Sequence, residues 1–365
     1  MKRYICLLLS IVMVFSLCGC QLQNTVQAPE VEKPVVEKPE VEEPIKPEDS
    51  DIVVDIGGFG DPDNTDLQGA TEEEPKIPEP EKPKKVPVQI ETSGKDFSKI
   101  NQISGNIEKK IKLYGDLEES EELAEMADIL GSYKKNISFV AMSLKGNKAI
   151  AYNTKQGYFS ACTIKIAYIL SCCKQIDEGA ADKDTLLTYK KKHYHDGSGQ
   201  IRKEEFGTKY TIEYLIKQSL YISDNVAYAM LIDYFGFDYY NKMIAELGCS
   251  SLKLYDMWAR SAKVKDFVIL WNEVYNYFQS KTKMAKLMKD ACTNTPFNYG
   301  TRTLGVSYSH KSGDNFGASA AYNDAGIVWG DKPYIYVIFT NSEGKEKDEK
   351  TVDRTMEIIH ELFRK

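Results

Sequence analysis

Between Asp96 and Lys365 the sequence predicts an α+β domain: an antiparallel sheet built from both ends of the segment, with an all-helical lobe inserted between them. Three observations predict it. Two short apolar segments with strand-like alternation stand together, NISFVAMSL (Asn136 to Leu144) and AIAYN (Ala149 to Asn153). A long stretch of helical periodicity follows. Three more strand-like segments and one amphipathic helix then close the chain.

Each element has its own signal. NISFVAMSL is rich in strand formers, KGNK supplies a turn, and AIAYN returns as the second strand of a hairpin. FSACTIKIAYILSCCKQID is apolar on nearly every side and reads as a buried helix. A lysine-rich region and HDGSGQI read as loop. TIEYLIKQSLYISDNVAYAMLIDYFG places Ser223-Asp224-Asn225 between two apolar helices. DYYNKMIAELG is an amphipathic helix closed by Gly248, and KVKDFVILWNEVYNYFQ is another helix. SYSHKSG, NDAGIVWG and YIYVIFTN are strands separated by turns, and TVDRTMEIIHELF is the closing helix. The tyrosine-rich DYFGFDYY and the pair Cys172-Cys173 read as packing.

The first 95 residues differ in kind. Lys2 and Arg3 precede an apolar run from Ile5 to Leu17 of about a dozen residues, right for a secretory signal and short for a membrane span. The run ends in Leu17-Cys18-Gly19-Cys20, which resembles a bacterial lipobox. Residues 1–19 are therefore expected to be a signal peptide, and Cys20 the lipidated first residue of a mature protein anchored to the outer face of the bacterial cytoplasmic membrane.

Residues 20–95 read as a linker: 11 of the 13 prolines lie before Val88, and PEVEKPVVEKPEVEEP is an imperfect repeat. From Gln21 to Lys95, 19 acidic residues face 8 basic ones, whereas the chain as a whole carries −7. The acidity thus belongs to the tether, and the domain, residues 96–365, sits near +2. Nothing in that balance suggests a nucleic-acid partner. As a simple coil the tether would span roughly 50 Å, enough to reach into a cell wall.

Five cysteines remain beyond Cys20: 162, 172, 173, 249 and 292. An odd count leaves at least one thiol free. No His or Cys spacing suggests zinc, since His193-Tyr194-His195 stands alone in a loop, and no metal or other cofactor is expected. Three short motifs carry compatible chemistry. Cys162-Thr163-Ile164-Lys165 sets an amine three residues from a thiol, on one helical face. Ser223-Asp224-Asn225 offers a hydroxyl and an amide in a loop, and its middle residue can also cap the next helix. Lys311-Ser312-Gly313 puts a cation, a hydroxyl and a small residue on a strand edge. Tyr158, Phe159 and His310 flank the motifs and are candidates to line the cleft.

In these motifs, over Lys134 to Lys365, the chain resembles the class A β-lactamase and penicillin-binding protein superfamily, whose signature is Ser-x-x-Lys, Ser-Asp-Asn and Lys-Thr/Ser-Gly. The resemblance implies that Cys162 stands at the nucleophile and that Lys165 activates it. Ser223 would relay a proton to the leaving nitrogen, and Asn225 would orient substrate and Lys165. Lys311 and Ser312 would receive a substrate carboxylate beside Gly313, and the N–H groups of Cys162 and Asp314 would form an oxyanion hole.

Two departures qualify the resemblance. The nucleophile is a thiol where the family has a serine, and a longer C–S bond displaces the reacting carbonyl. The Glu-x-x-Leu-Asn loop that activates a deacylating water is missing: Ala259 falls where its glutamate should be, with Asp256 nearby as an alternative base. The expectation is a monomeric acyl-transfer hydrolase acting on a β-lactam or a D-alanyl-type cell-wall (peptidoglycan) stem peptide, through a thioester on Cys162 that deacylates slowly. The alternative is a catalytically impaired module that binds or senses such ligands.

Overall fold

The strands legible in the sequence pair into one antiparallel sheet. A computed structural model describes residues 110–365. The signal-like segment, Cys20 and the Pro/Glu-rich linker lie outside the described residues.

In chain order the strands are β1 (Ile111–Gly115), β2 (Ile137–Ser143), β3 (Lys148–Tyr152), β4 (Leu186–Thr188), β5 (Lys209–Thr211), β6 (Tyr308–Asn315), β7 (Ala321–Val328) and β8 (Tyr334–Thr340). The α-helices are α1 (Glu121–Ser132), α2 (Lys165–Asp177), α3 (Ile212–Tyr221), α4 (Asn225–Phe235), α5 (Asp238–Glu246), α6 (Val264–Gln279), α7 (Lys283–Ala291) and α8 (Glu346–Arg364).

The main sheet runs β1-β3-β2-β8-β7-β6, and β4 pairs separately with β5. The join between the two ends of the domain is β2 against β8, in register at Val140 and Val337. β2 and β8 are buried along nearly their whole length, which suits continuous apolar runs covered on both faces. One face carries α1 and α8, packed through Met126, Met356 and Ile359, with Arg354 forking onto both carboxylate oxygens of Glu125 at 2.6 Å. The other face carries the helical lobe, whose core includes Trp271, Phe267, Tyr168 and Leu215.

β6 is the last strand of the sheet, so the third motif lies on a free edge facing the helical lobe. Strand β1 and helix α1 precede the first strand expected from the sequence. Ser120 caps α1 by accepting from the Leu123 N–H, and Leu123, Met126 and Leu130 form its buried stripe. The lysine-rich stretch read as loop holds the short β4-β5 pair, which forms where Leu187 and Tyr210 bury against the lobe.

Candidate active site

The segment expected to carry the nucleophile does not begin as an α-helix. Ala161–Ile164 forms a 3₁₀ turn, and α2 continues from Lys165. With three residues per turn, positions i and i+3 eclipse, so the Lys165 side chain lies directly over that of Cys162. Ala161, just before the thiol, holds φ +45°, a left-handed conformation stored beside the reacting group. Cys162 is partly exposed, whereas Cys172, Cys173, Cys249 and Cys292 are buried, and all five are free.

Lys165 is fully buried and saturated by acceptors. Its amine donates to the Ser223 carbonyl at 2.6 Å, to Asn225 Oδ1 at 2.7 Å and to Ser223 Oγ at 3.4 Å. Its charge acts on the neighbouring Cys162 sulfur. Cys162 Sγ lies 3.8 Å from Asn225 Oδ1. Four of the predicted residues therefore share one connected network. Ser223 holds φ +60°, which turns its hydroxyl and its carbonyl toward the same amine.

The loop carrying this pair is held from behind. Asp224 caps α4, its Oδ1 accepting from Val226 and Ala227 and its Oδ2 from Gln200 and Ile201. Asn225 gives its N–H to Ser198 O and its side-chain amide to Asp196 O. HDGSGQI thus wraps the second motif, and Gly199 (φ +112°) is required there: a Cβ would lie 2.2 Å from the Asp224 carboxyl carbon.

Lys311 and Ser312 are buried on β6. The Lys311 amine donates to Ser312 O at 2.8 Å, and the Ser312 hydroxyl donates to Phe297 O at 2.5 Å. Gly313 packs against the 3₁₀ turn: a Cβ there would meet the Cys162 nitrogen at 2.5 Å and the Thr163 nitrogen at 2.7 Å. Glycine was expected to make room for substrate; it makes room first for the nucleophile's own backbone. The Cys162 and Asp314 N–H groups expected to form an oxyanion hole belong to these two abutting segments.

The charges follow from burial and proximity. Burial alone would raise the Cys162 thiol, but the ammonium groups of Lys165 and Lys311 outweigh it and hold the thiol below its ordinary value. Burial depresses Lys165, opposed by Cys162 and Asp224. Burial also brings Lys311 down to about 8, opposed chiefly by Cys162. The other thiols show the contrast: burial pushes Cys172, Cys173 and Cys249 well up and Cys292 up to about 12. Among the described cysteines, only Cys162 is placed to be a thiolate.

Several expectations need correction. His310 is fully buried, bonded to Asp324 Oδ1 at 2.8 Å and to Thr295 at 2.6 Å, so it braces β6 from behind and does not line the cleft. Tyr158 is also buried, its hydroxyl 2.7 Å from Ser138 Oγ. Phe159 remains partly exposed, its ring 6.3 Å from that of Trp258. Ala259 is buried and bonded both ways to Ser160, its N–H to Ser160 Oγ and its carbonyl to Ser160 N–H. Asp256 is half exposed, bonded to Arg260 and the Trp258 N–H, and held below the usual carboxylate range: burial, which raises it, is outweighed by those bonds. That makes it a poor proton acceptor.

Sequence reasoning missed Trp258 and Tyr228. Their rings lie 5.7 and 5.5 Å from the Lys165 amine and form an aromatic wall behind the nucleophile. The Tyr228 hydroxyl donates to Met257 O, which ties the two together. Tyr228 lies three residues after Asn225 on α4, close enough in sequence to have been found; Trp258 reaches the site only through the return of a distant loop.

Residues 122–363 match the family model described as "Beta-lactamase enzyme family". Among solved structures, a β-lactamase from Sphaerobacter thermophilus superposes with a TM-score of 0.60 at 18% identity, covering 68% of this chain and 98% of that one. A mutant of PBP-A, determined as an acyl-enzyme complex with penicillin G, gives 0.59 at 17%, covering 67% and 96%. A β-lactamase from Chitinophaga pinensis gives 0.59 at 17%, covering 66% and 99%. At such identities these structures share the fold with this chain. No curated protein matches it.

Proposed function

This chain belongs to the β-lactamase enzyme family, and from that premise we propose that it is an acyl-transfer enzyme forming a thioester on Cys162 from a β-lactam or a D-alanyl-type peptide amide. The observation that carries the reading is the shared network of Cys162, Lys165, Ser223 and Asn225, with a thiol held low by two neighbouring ammonium groups.

Lys165 holds the proton that Cys162 has given up, and the thiolate attacks the amide carbon. The carbonyl oxygen takes the negative charge beside the Cys162 and Asp314 N–H groups. As the intermediate collapses, the C–N bond breaks, a C–S bond remains, and the nitrogen takes its proton through the Ser223 hydroxyl from Lys165. Water attack on the thioester then releases the acid and restores the thiol. That second half is slow, because Ala259 supplies no base, Asp256 is engaged elsewhere, and Trp258 and Tyr228 fill the space beside Lys165.

The same proposal places the domain outside the cell, tethered through lipidated Cys20 and the linker that follows it. Metabolic labelling with a fatty-acid analogue, lost in Cys20→Ala, tests the anchor.

Intact-protein mass spectrometry after mixing with penicillin G tests the chemistry. The expected result is a stoichiometric adduct of penicillin mass on Cys162, absent in Cys162→Ala. No adduct at millimolar reagent over hours would refute the reading.

A further inference from the structure

We propose that the β6 rim of this cleft selects acyl donors bearing an ammonium group over donors bearing a carboxylate in the same place, with Asp314 as the specificity-determining residue. The inference rests on the acyl-transfer reading above and names its substrate class.

Asp314 follows Gly313, whose backbone abuts the Cys162 nitrogen, so its exposed carboxylate stands one residue from the contact with the nucleophile. It is not a loose surface group. The Tyr299 hydroxyl donates to its Oδ1 at 2.8 Å. Tyr299 in turn stacks on Tyr322 with ring centroids 4.3 Å apart, and its N–H is held by the buried Asp324 at 2.9 Å. The carboxylate is thus oriented by a chain of contacts reaching into the core, and one of its oxygens is left for another partner.

The neighbouring groups add acceptors to the rim. Ser312 spends its hydroxyl proton on Phe297 O, and the Lys311 amine is buried and given to Ser312 O. The Ser312 hydroxyl is therefore not free to meet a substrate carboxylate without breaking its bond, and the Lys311 amine lies buried beneath the rim with one N–H given to Ser312 O. Arg260, the exposed cation near Phe159, is already paired with Asp256. What the β6 edge presents outermost to a ligand is a fixed carboxylate, which suits an ammonium or another N–H donor.

A matched pair of probes tests the proposal. Ampicillin and carbenicillin share a nucleus and differ by an ammonium or a carboxylate on the same side-chain carbon, next to the amide. Acylation rates of Cys162 are read by intact mass on the full chain at low salt. Ampicillin is expected to react roughly tenfold faster, as a unit charge a few ångströms away in a partly solvated cleft would dictate. The preference should shrink as salt rises. It should fall close to unity in Asp314→Asn and reverse in Asp314→Lys, a reversal that misfolding cannot produce. Equal rates for the two probes, or a preference that survives both substitutions, would overturn the inference while leaving the acyl-transfer reading intact. Failure of both probes and of penicillin G to label Cys162 would instead remove the reading beneath it.

Discussion

Gly313 and Cys162 abut so closely that a methyl group on the first would lie 2.5 Å from the backbone nitrogen of the second. Real Cβ atoms do not approach a backbone atom so nearly, so a side chain at 313 must push β6 away from the nucleophile turn. The backbone of Gly313 is not in the left-handed region, so alanine there introduces a clash and no strain of its own. Gly313→Ala should therefore leave the fold standing and separate the two N–H groups expected to hold the oxyanion. A displacement near 1 Å lowers reactivity about 100-fold. Rates of Cys162 acylation by penicillin G, compared at matched thermal stability, check this; a fall of less than threefold would count against the contact.

Lys165 fixes the ionisation of Cys162 from inside the lobe. Replacing it by methionine keeps the volume and removes the charge beside the sulfur and the ties to Ser223 and Asn225. Burial then acts on the thiol with less opposition, so its pKa must rise. Iodoacetamide reactivity followed against pH should show a higher midpoint in Lys165→Met than in the native protein, a shift in favour of the neutral thiol. The four buried cysteines should stay unlabelled in the native protein.

On the proposed reaction, Trp258 bears on the loss of the acyl-enzyme more than on its formation. Its ring lies against Lys165, Tyr228 and Phe159, in space a deacylating water would need. Trp258→Ala opens that space without touching the Cys162–Ser223–Asn225 bonds. The half-life of the penicillin adduct should shorten by about tenfold while acylation changes little, since an unassisted water gains access but no base. A lifetime unchanged within twofold would show that missing base chemistry, not exclusion of water, is what makes the adduct last.

That one antiparallel sheet joins both ends of the domain was legible, as were the three motifs, because each rests on local pattern: strand-forming segments at β2, β7 and β8, and fixed short spacings for Cys162 to Lys165 and Lys311 to Gly313; β1 and the order of the strands were not. What the sequence hid lies between distant segments. Trp258 stands 93 positions beyond Lys165 and meets it only because Ala259 and Ala262 pair with Ser160 and Tyr158. His310 looked like a cleft residue because it precedes Lys311, yet strand alternation turns it to the opposite face, toward Asp324. The 3₁₀ turn at Cys162 is likewise absent from the pattern, since an apolar run of that length reads as one helix.

Asp324 supports the third motif from behind, through that same alternation. It is fully buried, and its two oxygens hold His310, Tyr299 N–H and Gly300 N–H. These bonds fix the loop whose Phe297 carbonyl receives the Ser312 hydroxyl. Asp324→Ala leaves a buried histidine and two backbone N–H groups without their partner, which destabilises by about 3 kcal/mol or more. For a domain of this size that lowers Tm by roughly 6–12 °C. Asp324→Asn keeps the shape and an acceptor and should recover about half of the loss. A melting curve for each, read by circular dichroism, decides it.

The pH dependence of acylation follows from two groups that face each other across the cleft. The attacking form requires Cys162 ionised, and its pKa is held below the ordinary thiol value by Lys165 and Lys311. The rate should therefore climb at lower pH than for a free thiol. Lys311 must stay protonated to sustain that shift, and burial has brought it down to about 8. Above that pH the ammonium is lost, the thiolate loses a partner, and the gain with rising pH should flatten or reverse. Lys311 also binds its proton less tightly folded than unfolded, so the unfolded chain carries more protons between about pH 8 and the ordinary lysine value near 10.4. Its contribution to stability consequently grows with pH over that window. Second-order acylation constants measured from pH 5 to 10 should trace a bell with its falling limb near 8, and Lys311→Met should remove that limb and push the rising one upward. A profile that climbs without a break to pH 10 would show that Lys311 does not face the thiol.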